Sequence, residues 1–286
     1  MSLSIGVVSE KCILCGKCVK VCPSMIFELS KDDKSIQVSN IDSCINCGHC
    51  MGVCPSGAVV HSTFPQEKVH KIDYSIYPTS EQLMMLIKSR RSNRAMSNAV
   101  IPKESLQMIL EAAHRAPTAS NSQKVFFKLI ENPDDLKYIS DFTIKTFEKL
   151  IKLLQTPILK LILKRIMPEA YKYLPAFNRF KIEHEKGNDL IIRKAKAVLL
   201  IYTPKSNRFG KEDANLAYQN GSLMAESLGV AQFYLGFVCS ALSQDKKRVF
   251  NKRFGIDGTI HAAMGLGMPL FKYENFTDRN DIGPIS

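Results

Sequence analysis

Tryptophan is missing from all 286 residues. The apolar stretch FTIKTFEKLIKLLQTPILKLILKRI, from Phe142, is broken in every window of about eighteen by Lys152, Lys160, Lys164 or Arg165, which excludes a transmembrane segment. Met1 to Lys11 has no basic start followed by an apolar run, so no secretory signal is legible and a reduced, cytoplasmic chain is expected. Gly265 and Gly267 have neither a third glycine nor a following helix, so a Rossmann site is not supported. The net charge of +12 and pI near 9.2 would suit nucleic acid, but no RNA- or DNA-binding motif is present and no Trp is available for stacking. No nucleic-acid partner is expected.

Cysteine, by contrast, is abundant, and eight of the nine residues fall in two copies of one pattern. CILCGKCVKVCP at 12–23 returns thirty-two residues later as CINCGHCMGVCP at 44–55, identical at eight of twelve positions. Each copy reads C-x2-C-x2-C-x3-C-P. Three thiolates at this spacing wrap one iron-sulfur cube while the fourth is carried to the cube of the other copy. Cys12, Cys15, Cys18 and Cys54 are therefore assigned to one 4Fe-4S cluster, and Cys44, Cys47, Cys50 and Cys22 to a second. Structural zinc takes cysteines as separated C-x2-C pairs, and a disulfide framework needs an oxidising compartment, so both fit less well. Gly16 and Gly48 suit a chain that must bend tightly round a cluster. His49 reads as a surface neighbour. Between the copies, FELSKDDKSIQVSN suggests two short strands around a turn at Asp32 and Asp33. Residues 5–62 resemble a bacterial-type two-cluster ferredoxin.

The length allows about two domains. The expected layout is a two-cluster domain at 1–64, a linker at 65–79 and a larger domain at 80–286, whose first helix has Ser80 as N-cap candidate. Residues 1–64 hold five Lys or Arg against five Asp or Glu, so the basic excess lies beyond them. Anionic clusters would make the small domain acidic, a charge opposition favouring docking. Between Lys145 and Lys196 thirteen Lys or Arg face five Asp or Glu. There Phe147, Leu150, Ile151 and Leu154 share a helical face opposite Lys145, Lys149 and Lys152, and Pro157 should end or kink the helix. Residues 140–196 suit packed helices with a solvated basic face, a lid, a docking patch for an acidic ferredoxin, or a membrane-surface helix.

In the second half, KSRRSNRAMSN gathers Arg90, Arg91, Ser92 and Arg94 at a helix end, where guanidinium forks and a hydroxyl can hold a phosphate or ring oxygen. EAAHRAPTASNSQ ends a helix before Pro117 and continues into a turn-rich loop. DANLAYQNGSLMAESLGVAQFYLGF reads as a helix from about Asp213 to Ser227 running into an apolar strand, and HAAMGLGMPLFKYENFTDRN as a Gly-rich strand with a basic tail. In this order the four motifs resemble the FMN-dependent nitroreductase family over about residues 80–286.

The resemblance implies an α+β, nitroreductase-like FMN-binding fold preceded by the small ferredoxin-like domain, assembled as a homodimer with FMN at the interface. Arg90, Ser92 and Arg94 would hold the FMN phosphate and ribityl or pyrimidine oxygens, with Arg91 beside them. Pro117, Thr118, Ser120 and Asn121 would reach the flavin from the partner subunit. Leu235 and Gly236 would bring backbone N–H groups to the N5 and O4 edge, and Lys272 and Arg279 would close on the phosphate. The chain departs from the family at Lys124 and Val125, at Phe233 to Gly236, and at Met268 in L-G-M-P, all around the substrate face. Cys239 reads as a packed thiol, and His114 and His261 as structural.

Flavin takes two electrons as hydride and releases them singly, whereas a cluster passes one at a time. The expected function is an iron-sulfur flavoprotein reducing a nitroaromatic or quinone-type small molecule by hydride from FMN, with NAD(P)H or a ferredoxin-type protein as donor. Two alternatives stand beside it: an electron-transfer module between redox carriers, and a reductive dehalogenase-like member of the same superfamily.

Overall fold

A computed structural model describes residues 3–30, 32, 34–166, 168–281 and 283, with backbone alone at 158 and 159. Two compact units emerge: Met1–Tyr77 with Ala119–Ser122, and Pro78–Thr118 with Gln123–Ser286.

The first unit contains β1 (Ile5–Val7), α1 (Lys17–Val21), β2 (Phe27–Leu29), β3 (Ile36–Val38), α2 (His49–Val53) and β4 (Val59–His61). β1 pairs antiparallel with β4, Ile5 opposite His61, and β2 with β3, Phe27 opposite Val38. The strand pair expected between the cysteine runs is thus present; Asp33, in the expected turn, lies outside the described residues. Gly16 and Gly48 precede α1 and α2 with φ of 65° and 71°. In that left-handed region any other side chain is strained, so the glycines let each cysteine loop turn into its helix.

The second unit runs α3 (Ser80–Ser89), α4 (Lys103–His114), β5 (Phe126–Ile130), α5 (Pro133–Gln155), α6 (Pro157–Ile166), α7 (Pro168–Glu185), β6 (Ala197–Thr203), α8 (Gly210–Ser227), β7 (Ala231–Tyr234), α9 (Gly236–Ser243), α10 (Val249–Phe254) and β8 (Thr259–Gly267). Its sheet has the order β5-β6-β8-β7, antiparallel throughout. Helices cover both faces, so β6, AVLLIYT, is apolar almost continuously. Its side chains alternate: Val198 and Leu200 join Ile139, Phe147, Phe177 and Phe250 in one core, while Leu199 and Ile201 join Ile109, Ala217 and Met264 in the other. Gly265 and Gly267 serve this packing, since a Cβ on them would meet Phe233 at 2.8 Å and Met96 Sδ at 2.6 Å.

Local chemistry sets the helix ends. The N-cap of α3 is Thr79, one residue before the expected Ser80: Thr79 Oγ1 accepts from Gln82 N–H and the Gln82 side chain accepts from Thr79 N–H. Gln82 stands at the third helical position only if Thr79 is the cap, and that reciprocal pair decides the start. Asn132 caps α5 through Asp134 and Asp135 N–H. Along α5, Phe147, Ile151 and Leu154 are buried, Leu150 is half-buried, and Lys145, Lys149 and Lys152 are exposed. Pro157 opens α6 after a one-residue break. Among the described residues no helix is long and apolar enough to cross a membrane.

Candidate functional site

In each cysteine run two thiols precede the glycine turn and the third sits in the short helix. The structure gathers Cys12, Cys15, Cys18 and Cys54 around one small cavity, and Cys22, Cys44, Cys47 and Cys50 around another. The fourth thiol of each ring comes from the other run. Backbone N–H groups point at the sulfurs: Ala58 donates to Cys54 Sγ at 3.2 Å and Asn46 to Cys44 Sγ at 3.4 Å. Burial pushes the Cys50 thiol up to about 11, with Cys47, Cys44 and Cys22 adding repulsion. Burial likewise raises Cys18, with Cys12 and Cys54 adding repulsion. A cationic metal core reverses that repulsion by favouring thiolates. Two rings fed by interleaved C-x2-C-x2-C-x3-C-P runs suit polynuclear centres better than zinc, which takes its cysteines as separated C-x2-C pairs.

No spacing rule singles out His61, yet it joins the second ring. It is 5% exposed, and its Nδ1 accepts from Thr63 N–H at 3.2 Å. In the neutral ring the proton then resides on Nε2, which lies 3.6 Å from Cys44 Sγ. Burial lowers the His61 pKa, which favours this neutral form. Phe64 packs on the imidazole with centroids 4.9 Å apart. The residue thirty-two positions earlier is Leu29, which has no side-chain donor. His49 is exposed at the rim of the same cavity.

In the second unit, the arginine segment after α3 is fastened to the sheet through Gln232, a buried residue that no motif flags. Gln232 Nε2 donates to Arg91 O at 3.1 Å, its backbone O accepts from Asn93 N–H at 3.0 Å, and its Oε1 accepts from Tyr218 OH at 2.7 Å. Asn93 Oδ1 accepts from Ala95 N–H at 3.0 Å. The backbone is thus fixed while Arg94 projects, its guanidinium 5.7 Å over the Phe233 ring. Arg91 turns back, Nη1 donating to Lys88 O at 2.7 Å, and closes the end of α3. Half-buried Arg90 lies with Arg91 near Glu226, whose carboxyl burial raises above the usual range against the pull of both guanidiniums.

Arg94, Leu235 and Gly236 meet at a cavity of about 430 Å³, walled by Tyr173 and Phe177 of α7 and by Phe237. Arg193 also reaches it. Leu235 N–H already donates to Ala263 O at 2.8 Å, so it is not a free donor. Gly236 opens α9, where no helical carbonyl can accept its N–H. Ser92 is half-buried; its carbonyl accepts from Arg94 Nη1 at 3.4 Å.

The remaining expected residues lie elsewhere. Lys272 lines a separate cavity of about 450 Å³ with Asn93 and Glu226, and Arg279 is exposed. Pro117 is exposed, and Thr118 Oγ1 accepts from Gln123 N–H at 2.9 Å. Ser120 and Asn121 are left-handed, with φ of 51° and 50°, and group with the first unit, where Asn121 Nδ2 donates to Asn46 O at 2.7 Å. None of these six lines the Arg94 cavity. Cys239 is a packed thiol, pushed up to about 11 by burial. His261 Nε2 lies 3.1 Å from Thr203 Oγ1, and burial lowers its pKa.

The nitroreductase family matches residues 87–268, and the 4Fe-4S dicluster domain matches residues 4–73. Similar solved structures include an FMN-bound nitroreductase from Bacteroides fragilis, 19% identical with a TM-score of 0.53, covering 72% of this chain and 99% of that one. Another FMN-bound nitroreductase, from Desulfitobacterium hafniense, is 20% identical with a TM-score of 0.54, covering 71% and 97%. A BluB-like flavoprotein from Clostridium difficile is 20% identical with a TM-score of 0.51, covering 70% and 94%. At such identities the likeness is one of fold. No curated protein gives a significant match.

Proposed function

The chain belongs to the nitroreductase family, and from that premise we propose that it is an FMN-dependent iron-sulfur oxidoreductase that reduces a nitroaromatic or quinone-type small molecule. The observation that carries this reading is the presence, in one chain, of two four-thiol rings and a nitroreductase fold with a cavity at Arg94 and Gly236. Residues 1–64 are taken as the two-cluster domain, 65–79 as linker and 80–286 as the FMN domain, with 140–196 as a basic helical insertion or lid.

FMN, when bound, supplies hydride chemistry, and two 4Fe-4S clusters supply one-electron storage. The chain holds and orients these groups. Arg94 would offer a guanidinium to the FMN phosphate or its ribityl or pyrimidine oxygens, and the Gly236 N–H would offer a donor to the N5 and O4 edge. Tyr173, Phe177 and Phe237 supply apolar walls that exclude water from the reacting face. Cys12, Cys15, Cys18 and Cys54 hold one cluster, and Cys22, Cys44, Cys47 and Cys50 the other. A second copy of the chain completes the flavin site. The exposed Leu83, Met84, Met85 and Ile87 of α3 give such a copy an apolar face to cover.

The test is anaerobic. Iron- and FMN-replete protein is mixed with NADH or NADPH, and flavin and cluster absorbance are followed together. Flavin bleaching before the clusters means that electrons enter at FMN. Bleaching of the clusters first, by a reduced ferredoxin and not by nicotinamide, makes the N-terminal domain the entry port. Turnover of carrier proteins alone, with no nitro compound or quinone reduced, overturns the proposed substrate class.

A further inference from the structure

The Arg94 cavity holds one arginine more than the family motifs account for. Arg94 belongs to R-R-S-x-R. Arg193 belongs to none of the motifs that carry the resemblance, yet it lines the same cavity. It stands on the turn between α7 and β6, where Arg193 and Lys194 have φ of 51° and 62°. Non-glycine residues enter this region at an energetic cost, which the surroundings must impose. They do so here through Asp189. Its Oδ1 accepts from Ile191 N–H at 2.7 Å and Ile192 N–H at 3.0 Å, its Oδ2 accepts from Ser140 Oγ at 2.7 Å, and both isoleucines are buried. The turn is a built feature that presents one guanidinium.

That guanidinium has no ion-pair partner within reach among the described residues. The cavity lining contains no carboxylate, and among the described residues neither Arg94 nor Arg193 forms an ion pair. Asp189, the acid whose field reaches Arg193, is committed to the turn and to Ser140. Burial lowers the Arg193 pKa, and the charges of Arg94 and Arg179 lower it further. Cations crowded into an apolar-walled site favour any ligand that brings an anion. The walls add a second criterion. Phe177 stacks on Phe147 with centroids 4.4 Å apart, so it is a rigid surface suited to a planar ring.

We propose that Arg193 is a substrate-specificity residue and that the cavity selects planar electrophiles bearing a carboxylate, gripped by its guanidinium fork while the ring lies against the α7 aromatics. This rests on the reading of the cavity as the substrate face, and the assay is arranged to separate the two.

Benzoate, which cannot be reduced, is titrated into oxidised FMN-bound protein and followed by the change in flavin absorbance, with benzamide as neutral control. Benzoate is expected to bind at least about tenfold tighter than benzamide, the discrimination of one charge-assisted bond. Arg193→Gln should abolish the preference while FMN affinity stays unchanged, and Arg193→Lys should retain part of it. The ratio of kcat/KM for 4-nitrobenzoate to that for 4-nitrobenzamide should fall in the same order. Equal binding of benzoate and benzamide to the unaltered protein overturns the proposal. So does loss of FMN from Arg193→Gln with the fold intact by circular dichroism, since the guanidinium then serves the cofactor, or an unchanged benzoate preference in that variant. If benzoate binds as expected but neither nitro compound is reduced, the specificity assignment stands and the reductase reading fails.

Discussion

Among the described residues of the first unit, no strand exceeds three residues and no helix exceeds five, whereas the second unit has a 23-residue helix in α5 and a nine-residue strand in β8. The buried clusters differ in the same direction. Seven described residues form that of the first unit, two of them cysteines of the proposed cluster rings, while the second unit has cores of twenty-three and sixteen described residues. A few small side chains cannot offset the conformational entropy of so many loops, and units of this size rely on covalent or metal cross-links. On the proposed reading the thiol rings are structural as well as redox elements. The first unit would then fold round its cofactors, while in the second two cores stand ready to frame one.

The strongest way to break this contrast is to remove the iron. Ferricyanide and EDTA applied to the full chain should leave the first unit unfolded and the second intact. Limited proteolysis should then cut before residue 78 and spare the rest. Protection of the first unit without iron would show that its small core suffices. Truncation of side chains tests the other half. Phe250→Ala, in the larger core, should cost about 3–5 kcal/mol in denaturant unfolding followed at the second unit. Ile26→Val in the first unit should cost about 0.5–1.5 kcal/mol with the clusters in place.

The same contrast explains what could be read from the sequence. The cysteine loops were legible because a cluster dictates ligand spacing along the chain, and a repeat of thirty-two residues shows both halves at once. The helix of the D-x3-A-x-Q-N motif and the apolar face of α5 were legible because periodicity reports burial. Contacts made across the fold were not. Gln232 reaches the arginine segment 141 residues away, and His61 reaches Cys44 across 17, so no local pattern marks either. Arg91 lay in the right motif, but its role followed from the helix end it closes. The Leu235 N–H is unavailable for a flavin because the sheet claims it, a fact of strand pairing that spacing cannot carry.

A smaller effect tests where the second unit begins. Thr79→Ala removes the side-chain acceptor of the capping box and should cost about 1 kcal/mol. Ser80→Ala, one residue on, should stay within about 0.5 kcal/mol. Thermal denaturation of the holoprotein distinguishes the two, and the reverse order would return the cap to Ser80.

The finest comparison lies inside the first unit, between two rings that the repeat would otherwise make alike. An N–H···S bond lowers the energy of the more negatively charged, reduced cluster, and so raises its potential. Among the described residues, only the Cys22, Cys44, Cys47 and Cys50 ring has an imidazole donor of this kind, from His61; the matching position in the repeat is Leu29. His61→Leu should therefore lower the potential of that cluster by a few tens of millivolts, the scale of a modest hydrogen bond for a one-electron couple. The other cluster should hold its value, and an EPR-monitored redox titration can follow both. A shift shared equally by the two clusters would mean that the substitution disturbs the whole unit, and the asymmetry between the rings would need another source.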